Sequence, residues 1–192
     1  MKESMDIKII QDFVDQEDAD SLIEYIETNK LNKDKFEYTE YLKTEESQQA
    51  QSQVPERFSI KDHAEVKDIY IKYAKKFIKE SKIFFDNAEN IGLYAQWLTM
   101  YGIGNELPRH RDNHEGAEEI DFSAVIYLND NFTGGELLLE DFSYLHKPKA
   151  LSIIIFHPTY WHEIKPILSG KRYAMPIWGT LNDKHKLDFI ND

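Results

Sequence analysis

No cysteine occurs in the 192 residues. Disulfides, thiolate nucleophiles and cysteine-ligated zinc or iron–sulfur sites are therefore excluded. Basic residues are in deficit: 23 Lys and Arg stand against 35 Asp and Glu, a formal charge of −12. A nucleic-acid reader usually presents a basic face, so a polymeric nucleic acid is not the expected partner. No apolar run is long enough to span a bilayer. The opening Met1-Lys2-Glu3-Ser4-Met5-Asp6 also lacks the apolar stretch of a signal peptide. Both absences point away from a membrane partner and towards a cytoplasmic protein. There are no internal repeats.

What the chain does contain is a folded core. Hydrophobic residues make up 41% and aromatics 13%, a globular rather than a disordered composition. The length predicts one domain over residues 1–192. Its parts read as helical support over 1–90, a strand-rich core over 91–180 and a polar tail over 181–192, with Leu187, Phe189 and Ile190 as a small apolar anchor.

The period of the apolar residues divides the chain in two. Asp6 to Phe13 reads as a short strand. Asp15 then caps a helix over 16–28, where Ala19, Leu22, Ile23 and Ile26 recur at helical spacing. A second helix over 62–82 carries the stripe Val66, Ile69, Tyr70, Tyr73, Ala74, Phe77 and Ile78, which should lie on a sheet. Between them, residues 29–57 are polar with a few aromatics. They read either as a solvated loop or as a lid. From Gly92 onward the period is that of strands: Leu93–Tyr101, Phe122–Asn129, Glu136–Glu140, Ala150–Phe156, Glu163–Ile167 and Lys171–Gly179. Helices first and seven or eight short strands after predict an α+β fold with an antiparallel sandwich.

The chemistry is concentrated in Arg109-His110-Arg111-Asp112. Residues two apart in extended chain point the same way, so His110 and Asp112 can converge on one point. An imidazole and a carboxylate are two parts of a 2-His-1-carboxylate metal site. His162 is the candidate third ligand. Taken alone, His-x-Asp is a weak signal that describes an exposed polar turn better than a metal site. Ten residues beyond His162 stands Arg172, on the same strand face as Ala174, Pro176 and Trp178. A guanidinium there could grip a carboxylate in a two-pronged hydrogen bond, helped by Tyr127 on a neighbouring strand. Arg172 beside Lys171 also fits an exposed turn. His63, His146 and His185 read as solvated, His114 as an exposed loop residue and His157 as structural. Trp97 and Trp161 read as core or pocket wall.

Taken together, Tyr101-Gly-Ile-Gly-Asn105, His110-Arg-Asp112, Val125-Ile-Tyr127-Leu-Asn129, Gly134-Gly135-Glu136-Leu137, His162-Glu-Ile-Lys-Pro166 and Arg172-Tyr-Ala-Met-Pro-Ile-Trp178 resemble the Fe(II)- and 2-oxoglutarate-dependent dioxygenases, most closely the prolyl 4-hydroxylase-like branch. The resemblance implies a double-stranded β-helix, or jelly roll, with supporting N-terminal helices. It implies Fe(II) on His110, Asp112 and His162. It also implies 2-oxoglutarate held by Arg172 with Tyr127, and Tyr101 near the cosubstrate or substrate entrance. The cosubstrate O2 follows, with room for ascorbate. The implied reaction hydroxylates a C–H bond of a peptidyl residue, prolyl among them, of an amino acid or of a small molecule, and releases succinate and CO2. The competing reading is a non-catalytic, cupin-like jelly roll that binds metal or ligand. A cupin-type hydrolase or isomerase using Zn or Mn leaves Arg172 without a task.

Overall fold

A computed structural model describes residues 7–29, 56–59 and 64–187. Of the segment 29–57, read as a solvated loop or a lid, residues 30–55 lie outside the described residues, as do His63, Phe189 and Ile190. Strand β1 (Ile7–Ile10) leads into helix α1 (Gln16–Asn29), whose first turn carries Glu17 and Asp18 at the end that favours negative charge. After β2 (Glu56–Ser59), helix α2 runs over Lys67–Phe84, preceded by a single 3₁₀ turn over Ala64–Val66. It ends two residues later than its apolar stripe predicts. The chain leaves it in extended conformation at Phe85, whose ring packs 5.0 Å from that of Phe122.

The remaining strands are β3 (Gly92–Tyr101), β4 (Leu107–His110), β5 (Phe122–Tyr127), β6 (Thr133–Gly134), β7 (Leu137–Leu139), β8 (Tyr144–His146), β9 (Ser152–Phe156), β10 (His162–Ile164), β11 (Ile167–Ser169) and β12 (Arg172–Thr180). Six form one sheet in the order β1-β9-β5-β12-β3-β2, and four form a second in the order β4-β10-β7-β8. A two-stranded ribbon joins β11 to β6. Every pairing is antiparallel, as the α+β reading predicts. The described strands outnumber the expected seven or eight because several hold only two to four residues. Such pieces are too short to show a period of two.

Alternation along the strands builds three layers. On β9, Ile153 and Ile155 join the apolar cluster that contains Phe13, Leu22, Ile26, Tyr73 and Phe77 from the helical side. Ile154 and Phe156 point the other way. They join a second cluster with Tyr101, Tyr127 and Ala174 of the large sheet and Leu137, Leu139 and Ile164 of the small one. The two helices therefore cover one face of the large sheet, and the small sheet faces the other. On β12, Tyr173, Met175 and Ile177 belong to the helix-side core while Ala174 belongs to the inter-sheet core, the division expected from the sequence.

One turn fixes how the sheets meet. Gly134 and Gly135 both have positive φ, 76° and 70°. A Cβ on Gly134 would lie 2.1 Å from the carbonyl oxygen of Pro166, and one on Gly135 would lie 2.5 Å from Ile167. Only glycine tolerates this combination of backbone angle and close approach. The turn seats β6 and β7 against the segment that leads into Arg172.

Candidate metal centre

Strand pairing brings the three predicted ligands together. His162 of β10 lies directly opposite His110 of β4, with ring centroids 4.2 Å apart. Asp112 follows β4 by two residues. Its loop is tied down by the backbone N–H groups of Asp112 and Asn113, which both donate to the carbonyl of Pro158 at 3.0 and 3.1 Å. Candidate ligand atoms of His110, Asp112 and His162 all lie within 4.8 Å of one another, and no other such group of three occurs among the described residues. The Nε2 atoms of His110 and His162 stand 3.5 and 3.7 Å from the Asp112 carboxylate oxygens.

The hydrogen bonds around the triad set its protonation. The Nδ1 atoms of His110 and His162 lie 2.8 and 2.9 Å from the carbonyl oxygens of Pro108 and Tyr160. A carbonyl only accepts, so each Nδ1 carries the proton and each Nε2 turns a lone pair inward. Burial holds the pKa of His162 below the usual histidine value, against the pull of Asp112, so its imidazole is neutral. For Asp112 burial acts to raise the pKa. The two imidazoles beside it, His110 and His162, and the Ser123 hydroxyl outweigh it and hold the carboxyl well below the usual range. Two neutral nitrogens and one carboxylate oxygen suit a divalent transition metal such as Fe(II), with positions left open for other ligands.

Ser123 escaped the sequence reading. Its hydroxyl donates to Asp112 Oδ2 at 2.7 Å from the fully buried β5. A serine inside the otherwise apolar run Phe-Ser-Ala-Val-Ile was the available signal. Such a partner orients a ligating carboxylate, so Ser123→Ala should weaken metal binding about 10- to 100-fold in a chelator-competition titration. Unchanged affinity would mean that the histidines alone position Asp112.

A second group of polar residues shares the inter-sheet space. Arg172, at the start of β12, is 1% exposed. Its guanidinium lies over the rings of Tyr101 and Tyr127, 4.8 and 5.1 Å from their centroids. Tyr101 pairs with Arg172 across the β3–β12 ladder and is buried beneath the guanidinium rather than standing at an entrance. Tyr127 sits on β5, opposite Ala174. Burial pushes its hydroxyl up to about 12 although the Arg172 charge opposes this, so it is a phenol that can donate. The Tyr127 hydroxyl and the Nε and Nη2 of Arg172 are buried with no hydrogen-bond partner among the described residues. Buried donors this polar are seldom left unmatched. A carboxylate presented by a bound organic acid matches them.

His157 is exposed and its ring is bonded to Thr159 in the turn before β10. Two expectations for aromatic residues need correction. His146 is buried, not solvated. Trp161 lies on the face of the small sheet opposite the ligands, where the guanidinium carbons of Arg109 and Arg111 stand 3.7 and 4.4 Å from its ring centroid. Alternation along β4 and β10 requires this: neighbours of inward-facing histidines face out.

Comparisons with known proteins agree with this geometry. Residues 96–180 match the 2OG-Fe(II) oxygenase superfamily. A PKHD-type hydroxylase of Shewanella sp. strain ANA-3 is 30% identical over 105 residues, covering 50% of this chain and 47% of the relative. The chain thus spans about half the length of the curated relatives it matches. A prolyl-4-hydroxylase of Pseudomonas putida has the same fold, with a TM-score of 0.68 and 18% identity over 93% of this chain and 94% of that one. A Trichoplax adhaerens prolyl hydroxylase, solved with a hypoxia-inducible-factor peptide fragment, also has a TM-score of 0.68, at 17% identity over 92% and 84% of the two chains. The α+β architecture is therefore the double-stranded β-helix in its prolyl 4-hydroxylase-like form. The strand-rich half, which carries the His-Asp-His cluster, is similar to the 2OG-Fe(II) oxygenase superfamily over residues 96–180.

Proposed function

We propose that the protein is an Fe(II)- and 2-oxoglutarate-dependent hydroxylase acting on a C–H bond of a peptidyl residue, an amino acid or a small molecule. His110, Asp112 and His162 hold the metal. Arg172 and Tyr127 hold the far carboxylate of 2-oxoglutarate, with Tyr101 supporting the guanidinium. One observation carries the reading: a His-Asp-His cluster and a set of buried, unmatched donors line the same inter-sheet space. A jelly roll that only bound metal would have no use for the second group.

When bound, Fe(II) and 2-oxoglutarate supply the oxidation: O2 is divided between succinate, formed as 2-oxoglutarate loses CO2, and the hydroxyl placed on the substrate carbon. The chain's own residues orient and exclude. The backbone carbonyls of Pro108 and Tyr160 fix both imidazoles with Nε2 inward. Phe156, whose ring is 5.0 Å from that of His162, keeps water from that side of the cluster. Arg172 is fixed by its stacking, so little ordering remains to be done when an acid arrives.

For the substrate, the peptide complex of the Trichoplax enzyme favours a peptidyl residue, prolyl among the candidates. The test is succinate formation by purified protein with Fe(II), ascorbate, 2-oxoglutarate and O2, screened against proline-containing peptides, free amino acids and small acids. The expected result is succinate that requires Fe(II) and O2 and is stimulated by one substrate class. No succinate under any condition, from protein shown to bind both metal and 2-oxoglutarate, would sink the proposal.

A further inference from the structure

The acid-binding end of the site contains one more polar side chain. His146 ends β8, which among the described strands lies at the edge and pairs with β7 alone, setting His146 opposite Leu137. Its neighbour Leu145 is 54% exposed while His146 is 6% exposed. Packing alone selects the reverse, leucine inside and histidine out. Inside, the imidazole stands 5.5 Å from the ring of Tyr127 and stacks at 6.4 Å on that of Tyr144. Its Nε2 is buried and has no hydrogen-bond partner among the described residues.

Seven buried side-chain nitrogen and oxygen atoms lack a partner among the described residues, and four of them belong to this one place: Nε and Nη2 of Arg172, the Tyr127 hydroxyl and Nε2 of His146. A carboxylate offers about four lone-pair positions. The Nε–Nη2 edge of an arginine takes two in a fork, and a phenol takes a third. One position is left for one further donor, and His146 is the remaining unmatched group. Burial, reinforced by the Arg172 charge, holds the pKa of His146 down at about 4, so at neutral pH its ring has one N–H and one lone pair. A neutral ring adds a donor beside Arg172 without adding a second buried positive charge.

We infer that His146, through an Nε2–H, is the fourth hydrogen-bond donor to the far carboxylate of the bound 2-oxo acid and makes the site selective for dicarboxylic over monocarboxylic 2-oxo acids. This rests on the reading of the site proposed above. His146 contacts neither the metal ligands nor the reacting atoms on this view; its effect is on which acid binds.

The experiment is anaerobic calorimetric titration of the Mn(II)-loaded protein with 2-oxoglutarate and, separately, with pyruvate, which lacks the far carboxylate. His146→Leu removes the donor at similar bulk. It should weaken 2-oxoglutarate about tenfold to a hundredfold, the effect of losing one hydrogen bond to a charged group. Pyruvate binding and Mn(II) affinity should not change. His146→Gln, which keeps an N–H, should restore 2-oxoglutarate binding to within about threefold of wild type. Leucine binding 2-oxoglutarate as tightly as histidine would overturn the inference, and so would an equal loss for pyruvate, which marks a packing effect. If His146→Leu does not fold, the wild-type ring still decides: imidazole 15N NMR should show the Nε2–H form with 2-oxoglutarate bound, and the Nδ1–H form would refute it. Wild-type protein that binds Mn(II) but neither acid would remove the underlying reading of the site, and this inference with it.

Discussion

Asp112→Ala should abolish measurable Fe(II) binding and leave the fold intact. The carboxylate supplies the only negative charge in the triad, and it faces Nε2 atoms of both histidines across 3.5 and 3.7 Å. Removing it leaves two neutral nitrogens, which hold a labile divalent ion weakly. Loss of a residue that merely orients a ligand costs about 10- to 100-fold in metal affinity, so loss of the ligand itself should exceed about 100-fold. His162→Ala should behave alike. Neither side chain belongs to the apolar clusters that join the layers, so circular dichroism and the thermal midpoint of the metal-free protein should stay near wild type. Anaerobic Fe(II) or Mn(II) titration is the measurement. Asp112→Ala protein that binds metal like wild type would show that the three side chains are neighbours without being a metal site.

Much of this arrangement is legible in the sequence, for a physical reason. Long strands announce themselves: β3, β5, β9 and β12 run five to ten residues, enough for their composition and alternation to show. The two-residue step from His110 to Asp112 fixes a common direction whatever the fold. Pairing His162 with His110 required a topology in which β10 lies beside β4, and the order of motifs along the chain carried that. The short elements carry no such message. β8 holds three residues, and its partner, not its own pattern, makes it a strand. With Leu145 out and His146 in, a reading by hydrophobicity places the histidine in solvent. Ser123 hides for the converse reason: in a fully buried strand, a small polar residue reads as tolerated until its partner Asp112 is seen beside it.

Arg172→Met should remove 2-oxoglutarate binding without weakening the empty protein. Among the described residues no carboxylate pairs with Arg172, which is 1% exposed. Its Nε and Nη2 are unmatched, and contact with the faces of Tyr101 and Tyr127 returns only part of the cost of burying the charge. Methionine fills similar space without a charge, and such replacements of buried ionic groups are often neutral or stabilising. The wild-type protein should therefore gain from ligand what the variant has no need of. At 2-oxoglutarate concentrations near 100 times its dissociation constant, wild type should be stabilised by about 2.7 kcal/mol and the variant by almost nothing. Thermal unfolding of Mn(II)-loaded protein with and without 2-oxoglutarate reads this directly. A midpoint that rises equally in both proteins would place the acid elsewhere. A variant that is strongly destabilised when empty would mean that the guanidinium is part of the packing rather than held ready for an anion. Retained Mn(II) affinity in Arg172→Met would separate the two halves of the proposed site: a metal on β4, β10 and the loop after β4, and an acid on β5 and β12, meeting in the space between the sheets.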